Sequence, residues 1–296
     1  MKFSVIIPCY NRTDVLFECL SSVAAQTLKD FEVILVDDGS TDQPLAILQK
    51  FRDQFRFKFC RLDVNKGGAY ARNAGIKEAS GDYVAFLDSD DVWLPEKLEV
   101  VSSYISRSAR PKETLFFTQT FIIRDGEPTR IRPDTGLRNG EKVLDYLFCK
   151  EGLIQTSTIV IARTLALETM FDTRIRFHND YLFCVRVERT KAEFAMIQRP
   201  LSEWRCGDRN DRISLSSRVV DNQELFYELA GVNLSDRAKR AYYATHIIPR
   251  LGGWSKIPYL LLSLVTNSIG THKFLKVIVR TYLPTYFSKY VAKRFQ

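Results

Sequence analysis

The chain reads as an α/β protein, Rossmann-like, with a mostly parallel central sheet and flanking helices, continued by a helical, basic tail. Three observations predict this. Over the first ninety residues, runs of β-branched and aromatic residues alternate with stretches of helical spacing, the pattern of repeated strand–helix–strand units. A polar, mostly acidic cluster follows each run. From Arg237 to Gln296 there are eleven Lys or Arg and no Asp or Glu, whereas the rest of the chain carries 32 basic against 35 acidic residues.

The strands come first. Phe3–Ile7, Phe31–Val36, Phe57–Leu62 and Tyr83–Leu87 are the four runs, the third being more alternating than the others. Between the first two, Leu16, Cys19, Leu20 and Val23 share one helical face, with Thr13 or Asp14 as the expected N-cap. Pro44 sits near the start of a second helix, where its missing N–H costs little. Gly67-Gly68 opens a third, through Ala69, Ala74 and Ile76. Right-handed crossovers then make the sheet parallel, and ligands of such sheets gather at the carboxyl ends of the strands. Further on, Leu115–Ile123 and Ile159–Ile161 read as strands and Asp125-Gly126 as a turn, while Tyr181–Val187 fits helix or strand by pattern. Arg205–Ser217 is polar and loop-like. From Ser235 the tail reads as several short amphipathic helices broken at Pro249, Pro258 and Pro284. The expected organisation is 1–110 as a nucleotide-sugar-binding half, 111–234 as the acceptor-binding and catalytic half of the same domain, and 235–296 as the tail.

Composition narrows the class. With 45% apolar and 26% charged residues, a large core can form and global disorder is excluded. Six cysteines without a C-x-x-C pair, and three histidines without metal spacing, argue against a zinc site and for a reducing compartment. The first run is too short for a signal core, and Ile257–Ile269 falls short of the roughly 20 apolar residues that span a bilayer. The expected location is therefore cytoplasmic, with peripheral attachment to the inner face of the cytoplasmic membrane through the tail. The competing reading of the tail has its leucines covering the catalytic domain and its lysines solvated.

Four loops carry the chemistry: Pro8-Cys9-Tyr10-Asn11-Arg12, Asp37-Asp38-Gly39-Ser40-Thr41-Asp42, Asp63–Gly68 and Asp88-Ser89-Asp90-Asp91. All four meet on one rim of a doubly wound sheet, where their carboxylates repel one another unless a cation or hydrogen-bond donors compensate. Asp88-Ser89-Asp90 is an Asp-x-Asp (DXD) motif directly after a buried strand, and hard oxygen ligands suit Mg2+ or Mn2+. The alternative is that Asp90 or Asp91 caps a helix beginning near Val92-Trp93. Asp37-Asp38-Gly39-Ser40 is either ordinary Asp-Gly turn chemistry or a carboxylate for a base N–H with Tyr10 against the base face. Gly67-Gly68 with Arg72 offers backbone N–H groups and a guanidinium, which suit phosphate. No Walker A or Gly-x-Gly-x-x-Gly sequence is present, which disfavours P-loop and dinucleotide-binding enzymes.

Val33–Asp42 resembles the second-strand signature of glycosyltransferase family 2, the inverting enzymes of GT-A fold. Ser4–Asn11, Asn65–Gly75 and Gly81–Asp91 resemble further segments of that family, in order and spacing. The resemblance covers residues 1–100 most fully. It implies that Pro8 and Tyr10 line the base pocket, Asp38 contacts the base, Asp88 faces the donor ribose and diphosphate, and Asp90 binds the metal. It also implies a Glu-Asp pair on the acceptor side. Here that pair is Asn179-Asp180, which makes Asp180 the general base, against the alternative that Asp180 caps a helix starting at Tyr181. His178 falls beside the same acceptor cleft. Trp204–Ser214, with three arginines, resembles the segment that closes over the donor phosphates, or is an ordinary solvated loop.

The expected activity is transfer of a hexosyl or N-acetylhexosaminyl group from a nucleotide-diphosphate sugar, UDP by family habit. The acceptor is a glycan or lipid-linked hydroxyl in bacterial surface polysaccharide synthesis, such as lipopolysaccharide or capsule. Mn2+ or Mg2+ is the expected cofactor and nucleic acid is not an expected partner. A metal-dependent nucleotidyltransferase and a basic-tail nucleic-acid-binding protein are the alternative classes.

Overall fold

In a computed structural model of the 296-residue chain, residues 2–206, 222–251 and 256–282 are described. The chain forms two compact units: residues 1–137 with 153–209, and residues 138–152 with 210–296.

The first unit is built on a nine-stranded sheet. Its opening half contains β1 (Phe3–Cys9), β2 (Phe31–Asp37), β3 (Arg56–Arg61) and β4 (Tyr83–Phe86), connected through α1 (Thr13–Ala24), α2 (Pro44–Leu48) and α3 (Gly68–Glu78). These four strands are parallel, in the order β3-β2-β1-β4. Every residue of β2 and β4 is buried, which is why they read as continuous apolar runs; β3, at the sheet edge, alternates. Helix α3 lies close on β1: a Cβ on Gly75 would stand 2.4 Å from Cγ2 of Ile6.

Beyond β4 come β5 (Val92–Trp93), α4 (Lys97–Arg107), β6 (Thr114–Arg124), β7 (Glu127–Arg132), β8 (Ile159–Ala162), α6 (Arg163–Thr169), α7 (Asn179–Arg189) and β9 (Glu193–Arg205), while α5 (Val143–Cys149) belongs to the second unit. Strand β8 is antiparallel to both β4 and β6, and β6 is parallel to β9. Strands β6 and β9 therefore run with β4, and their carboxyl ends reach the same rim. The turn at Asp125-Gly126 has both residues at positive φ, 51° and 81°.

The structure decides one open reading and corrects other local expectations. Tyr181–Val187 is helical. Leu182, Phe183, Cys184, Val185 and Val187 are all buried, so burial on most sides erases the one-faced period that would have identified the helix. No helix begins at Val92-Trp93; that pair is a short strand against β9, and α4 starts at Lys97. Neither Thr13 nor Asp14 is the N-cap of α1. Arg12 holds that position without a side-chain cap, and the Thr13 N–H instead donates to Oδ2 of Asp42 at 3.0 Å. No disulfide joins any of the six cysteines.

In the second unit every residue of α5 except Asp145 is buried. Phe148 of α5 meets Phe226 and Tyr242, with ring centroids 6.1 and 5.2 Å away, and Tyr242 stacks on His246 at 4.9 Å. His246 is thus a packing histidine. Among the described residues, no helix is long and apolar enough to cross a membrane.

Candidate active site

The four acidic or polar loops sit at the carboxyl ends of β1 to β4. Pro8 is the penultimate residue of β1, paired with Val36, and Tyr10 follows with 44% of its surface exposed. That exposure leaves an aromatic face available at the rim. The loop is pinned to its neighbour: the Asn11 N–H donates to Ser40 Oγ at 3.0 Å, and the Thr41 N–H donates to Asn11 Oδ1 at 2.8 Å.

Asp37 and Asp38 divide the work of the second loop. Asp37 is fully buried and accepts the Ser40 N–H at 2.8 Å, with the Arg61 guanidinium 3.5 Å away. Asp38 faces the third loop, and its two oxygens accept the N–H groups of Lys66 at 2.8 Å and Gly67 at 2.7 Å. Burial pushes the Asp38 pKa up, against the pull of those two hydrogen bonds and of the Arg176 charge. Gly39 makes the contact between these loops feasible. It has φ +75°, and a Cβ there would meet the backbone of Val64 and Asn65 at 2.8–2.9 Å.

Arg72 stands one turn into α3, which opens at Gly67 with φ +94°. Its buried guanidinium donates to Asp88 Oδ1 at 2.5 Å and to Asn179 Oδ1 at 3.5 Å, over the ring of Phe171. One cation thereby ties the loop after β4 to the start of α7. Asp88 is half-buried, and its N–H donates to Ser157 Oγ at 3.0 Å.

The Asp88-Ser89-Asp90-Asp91 loop shows why three close carboxylates can coexist. Asp91 is buried and accepts Gln155 Nε2 and Ser157 Oγ, both at 2.6 Å, and the Arg205 N–H at 3.2 Å. Its pKa is pushed well up, first by burial and then by the charges of Asp90 and Asp88. Asp91 is thus a structural brace, and Asp90, beside it, is half-exposed.

Asp180 is the second residue of α7. It keeps partial solvent access, yet its carboxyl is packed deeply enough that lost hydration pushes its pKa up to about 6. The Tyr181 N–H, donating at 2.9 Å, and the charge of Arg72 pull the other way, while Asp88 pushes further up. Asp180 therefore shares its electrostatic surroundings with Arg72 and Asp88. The N-cap of α7 is His178, at φ +57°, so Asp180 does not hold the capping position.

All seven residues singled out in the sequence lie in the first unit, on the loops of one rim or beside them. Two groups of contributors were missed. Arg176 donates to Asn65 Oδ1 at 3.4 Å, and its side chain lies 3.8 Å from where a Gly67 Cβ would be. Gln155 and Ser157 brace Asp91. None of these belongs to a motif; their distance from their partners along the chain hides them. Of the arginine-bearing loop, Arg205 is described and pairs with Glu18, while Arg209 and Arg212 lie outside the described residues.

A divalent ion was tested against these donors. Among the described residues no group of three or more His, Cys, Asp or Glu is arranged to hold one alone. Mg2+ and Mn2+ are commonly held by one or two carboxylates together with substrate phosphates. Asp88 and Asp90 suit that shared arrangement, because both are only partly buried on the loop after β4. The residues therefore fit a metal completed by the donor diphosphate. A separate cavity of about 420 Å3, lined by Phe121, Ile123, Asp125, Pro128, Glu203 and Arg205, lies where β6 and β9 end. Arg205 links its wall to Asp91.

Comparison with known proteins completes the picture. The model of the family described as "Glycosyl transferase family 2" matches residues 4–168. The chain is 37% identical over 209 residues to the amylovoran biosynthesis glycosyltransferase AmsB of Erwinia amylovora, covering 69% of each chain. It is 34% identical over 161 residues to the Escherichia coli UDP-Glc:alpha-D-GlcNAc-diphosphoundecaprenol beta-1,3-glucosyltransferase WfaP, covering 54% of this chain and 61% of that one. Its fold matches the crystal structure of S. aureus TarS 1-349 in complex with UDP-GlcNAc, with a TM-score of 0.68 and 22% identity, covering 100% of this chain and 88% of that one.

Proposed function

The chain belongs to glycosyltransferase family 2 and has the GT-A fold, and from that premise we propose that it is an inverting transferase using a UDP-sugar. The acceptor in this reading is a hydroxyl of a glycan or lipid-linked intermediate of surface polysaccharide synthesis, in the cytoplasm. Family membership sets aside the nucleotidyltransferase and nucleic-acid-binding alternatives.

The observation that carries the mechanism is Arg72, which bridges Asp88 and Asn179 and so fixes the donor loop against the residue next to Asp180. Tyr10 lies against the base and Pro8 beside it. Asp38 lines the base pocket while holding the start of α3 through Lys66 and Gly67. The N-terminal end of α3, with Arg72 one turn in, favours the diphosphate through its partial positive charge. Asp90, with Asp88 beside it, would hold Mn2+ or Mg2+, whose chemistry is to neutralise the departing diphosphate. Asp180 takes the proton from the acceptor hydroxyl as that oxygen bonds to the anomeric carbon. The bond to the diphosphate oxygen breaks on the opposite face, and its electron pair leaves with the nucleotide. One displacement inverts the anomeric centre. The cavity at the ends of β6 and β9 is the assigned acceptor entrance, since it opens beside the same carboxylate loop.

The test is a panel of UDP- and GDP-sugars assayed for nucleoside diphosphate released in the presence of acceptor glycolipids. A UDP-sugar should be consumed, and Asp180→Asn should abolish most of that release. Absence of turnover with every donor, or near-normal turnover in the variant, rejects this assignment.

A further inference from the structure

The tail leaves an apolar surface on the outside of the second unit. Helix 257–265 turns Leu260 and Ser263 inward. Its outward residues are Pro258, Tyr259, Leu261, Leu262 and Val265, with Leu262 49% and Val265 82% exposed. Positions 258, 261, 262 and 265 fall on a single helical stripe. Surface helices ordinarily put polar residues there, and a contiguous exposed apolar stripe marks an interaction site. Helix 271–282 adds Leu275, half exposed, beside His272 and Lys276.

The stripe is held in place from beneath. Arg237 donates twice to the Asn267 carbonyl, at 3.0 and 2.8 Å, and Arg240 donates to Ser268 Oγ at 3.3 Å. Ser263 Oγ donates to the Tyr259 carbonyl at 3.0 Å and to the Arg240 carbonyl at 3.3 Å. These bonds tie helix 257–265 and the turn after it to the helix that carries Arg237 and Arg240, so the exposed stripe is preorganised.

Charge selects the occupant. Lys256 stands at the N-cap of the first helix and Lys276 is exposed on the second, within a stretch of eleven basic and no acidic residues from Arg237 onward. Two copies meeting through this face would bring like charges together. A nucleic acid would take the lysines and leave the leucines in water. An anionic bilayer satisfies both features, since apolar side chains enter the acyl boundary while lysines meet lipid phosphates.

We infer that helices 257–265 and 271–282 form a docking surface for anionic membranes, with Leu261, Leu262 and Val265 inserting and Lys256 and Lys276 at the headgroups. This goes beyond the transfer reaction and is read without donor or acceptor.

The full chain should co-sediment with phosphatidylcholine vesicles containing phosphatidylglycerol, far more than with phosphatidylcholine alone. Leu262→Asp with Val265→Asp should lower partitioning by about tenfold or more. Lys276→Glu, at an exposed site, should lower it less and should reduce the weakening caused by salt. It covers the case in which the double variant fails to fold. Failure of the wild-type chain to sediment with anionic vesicles overturns the inference. So does unchanged sedimentation of both variants, or a solution dimer that Lys276→Glu or the double variant dissociates.

Discussion

Burial gives Asp180 a pKa that suits the base role proposed for it. A carboxylate that titrates at about 6 is basic enough to accept a proton and ionised enough at neutral pH to do so. Two expectations follow at this scale. Asp180→Asn should cut kcat by roughly 10^2–10^4 while the dissociation constant for the donor changes little, read by steady-state kinetics and calorimetry. In the wild-type chain, kcat/KM should fall tenfold per pH unit below about 6, because the protonated carboxyl cannot act as base. A profile flat down to pH 5 would remove Asp180 from the role. The other carboxylates behave differently because their oxygens are already engaged: Asp38 by Lys66 and Gly67, Asp91 by Gln155 and Ser157. Aspartates that look alike in the sequence therefore differ in how far protein donors already occupy their oxygens.

Elements place these residues through close packing. Helix α3 carries Arg72 and sits on β1 through Gly75. Alanine there gains roughly 1 kcal/mol of helix propensity but forces its methyl into Ile6. Overpacking of this kind costs about 1–3 kcal/mol, so Gly75→Ala should lower the urea midpoint and weaken donor binding together. On the other side of the sheet, α4 begins with Lys97, buried over the Trp93 ring, with its ammonium donating to Thr118 Oγ1 at 3.2 Å and the Thr158 carbonyl at 3.4 Å. Burial holds its pKa down to about 7. The unfolded chain keeps the proton up to about pH 10.5, so between pH 7 and that value the unfolded state binds more protons and stability rises with pH. The stability difference between wild type and Lys97→Met should thus shift by about 2 kcal/mol toward the wild type from pH 7 to pH 9. Denaturant titration at both values measures it, and a constant difference would mean that Lys97 does not lose its charge.

For the whole molecule, all seven residues of the proposed site lie in the first unit. Each ligand that binds only the folded state adds about 2.7 kcal/mol at a hundredfold excess over its dissociation constant. UDP with Mn2+ should therefore raise the melting temperature by several degrees, and UDP with a chelator should raise it much less. Equal shifts with and without the ion would place the diphosphate on Arg72 and α3 alone. The two-unit organisation also draws α5, from the middle of the chain, into the core around Phe148, Phe226 and Tyr242. No local signal in residues 143–149 announces that, since a short apolar helix packs equally well on a sheet or among helices.

The parallel half of the sheet and its rim of four loops were legible because each strand–helix–strand step is local and has one favoured hand, whereas Asp180, on α7, was reached only through the family resemblance. The basic tail was legible from composition. Tertiary structure alone decided which carboxylates are quenched by donors, how Arg72 holds Asp88 and reaches Asn179, 107 residues further along the chain, and that Arg176 stands by Gly67. It also decided that α7 is a helix and that an apolar stripe on 257–265 faces outward. The physical reason is common to all of these. Periodicity and turn chemistry act over a few residues, whereas hydrogen-bond partners and burial are supplied by segments that only folding brings into contact.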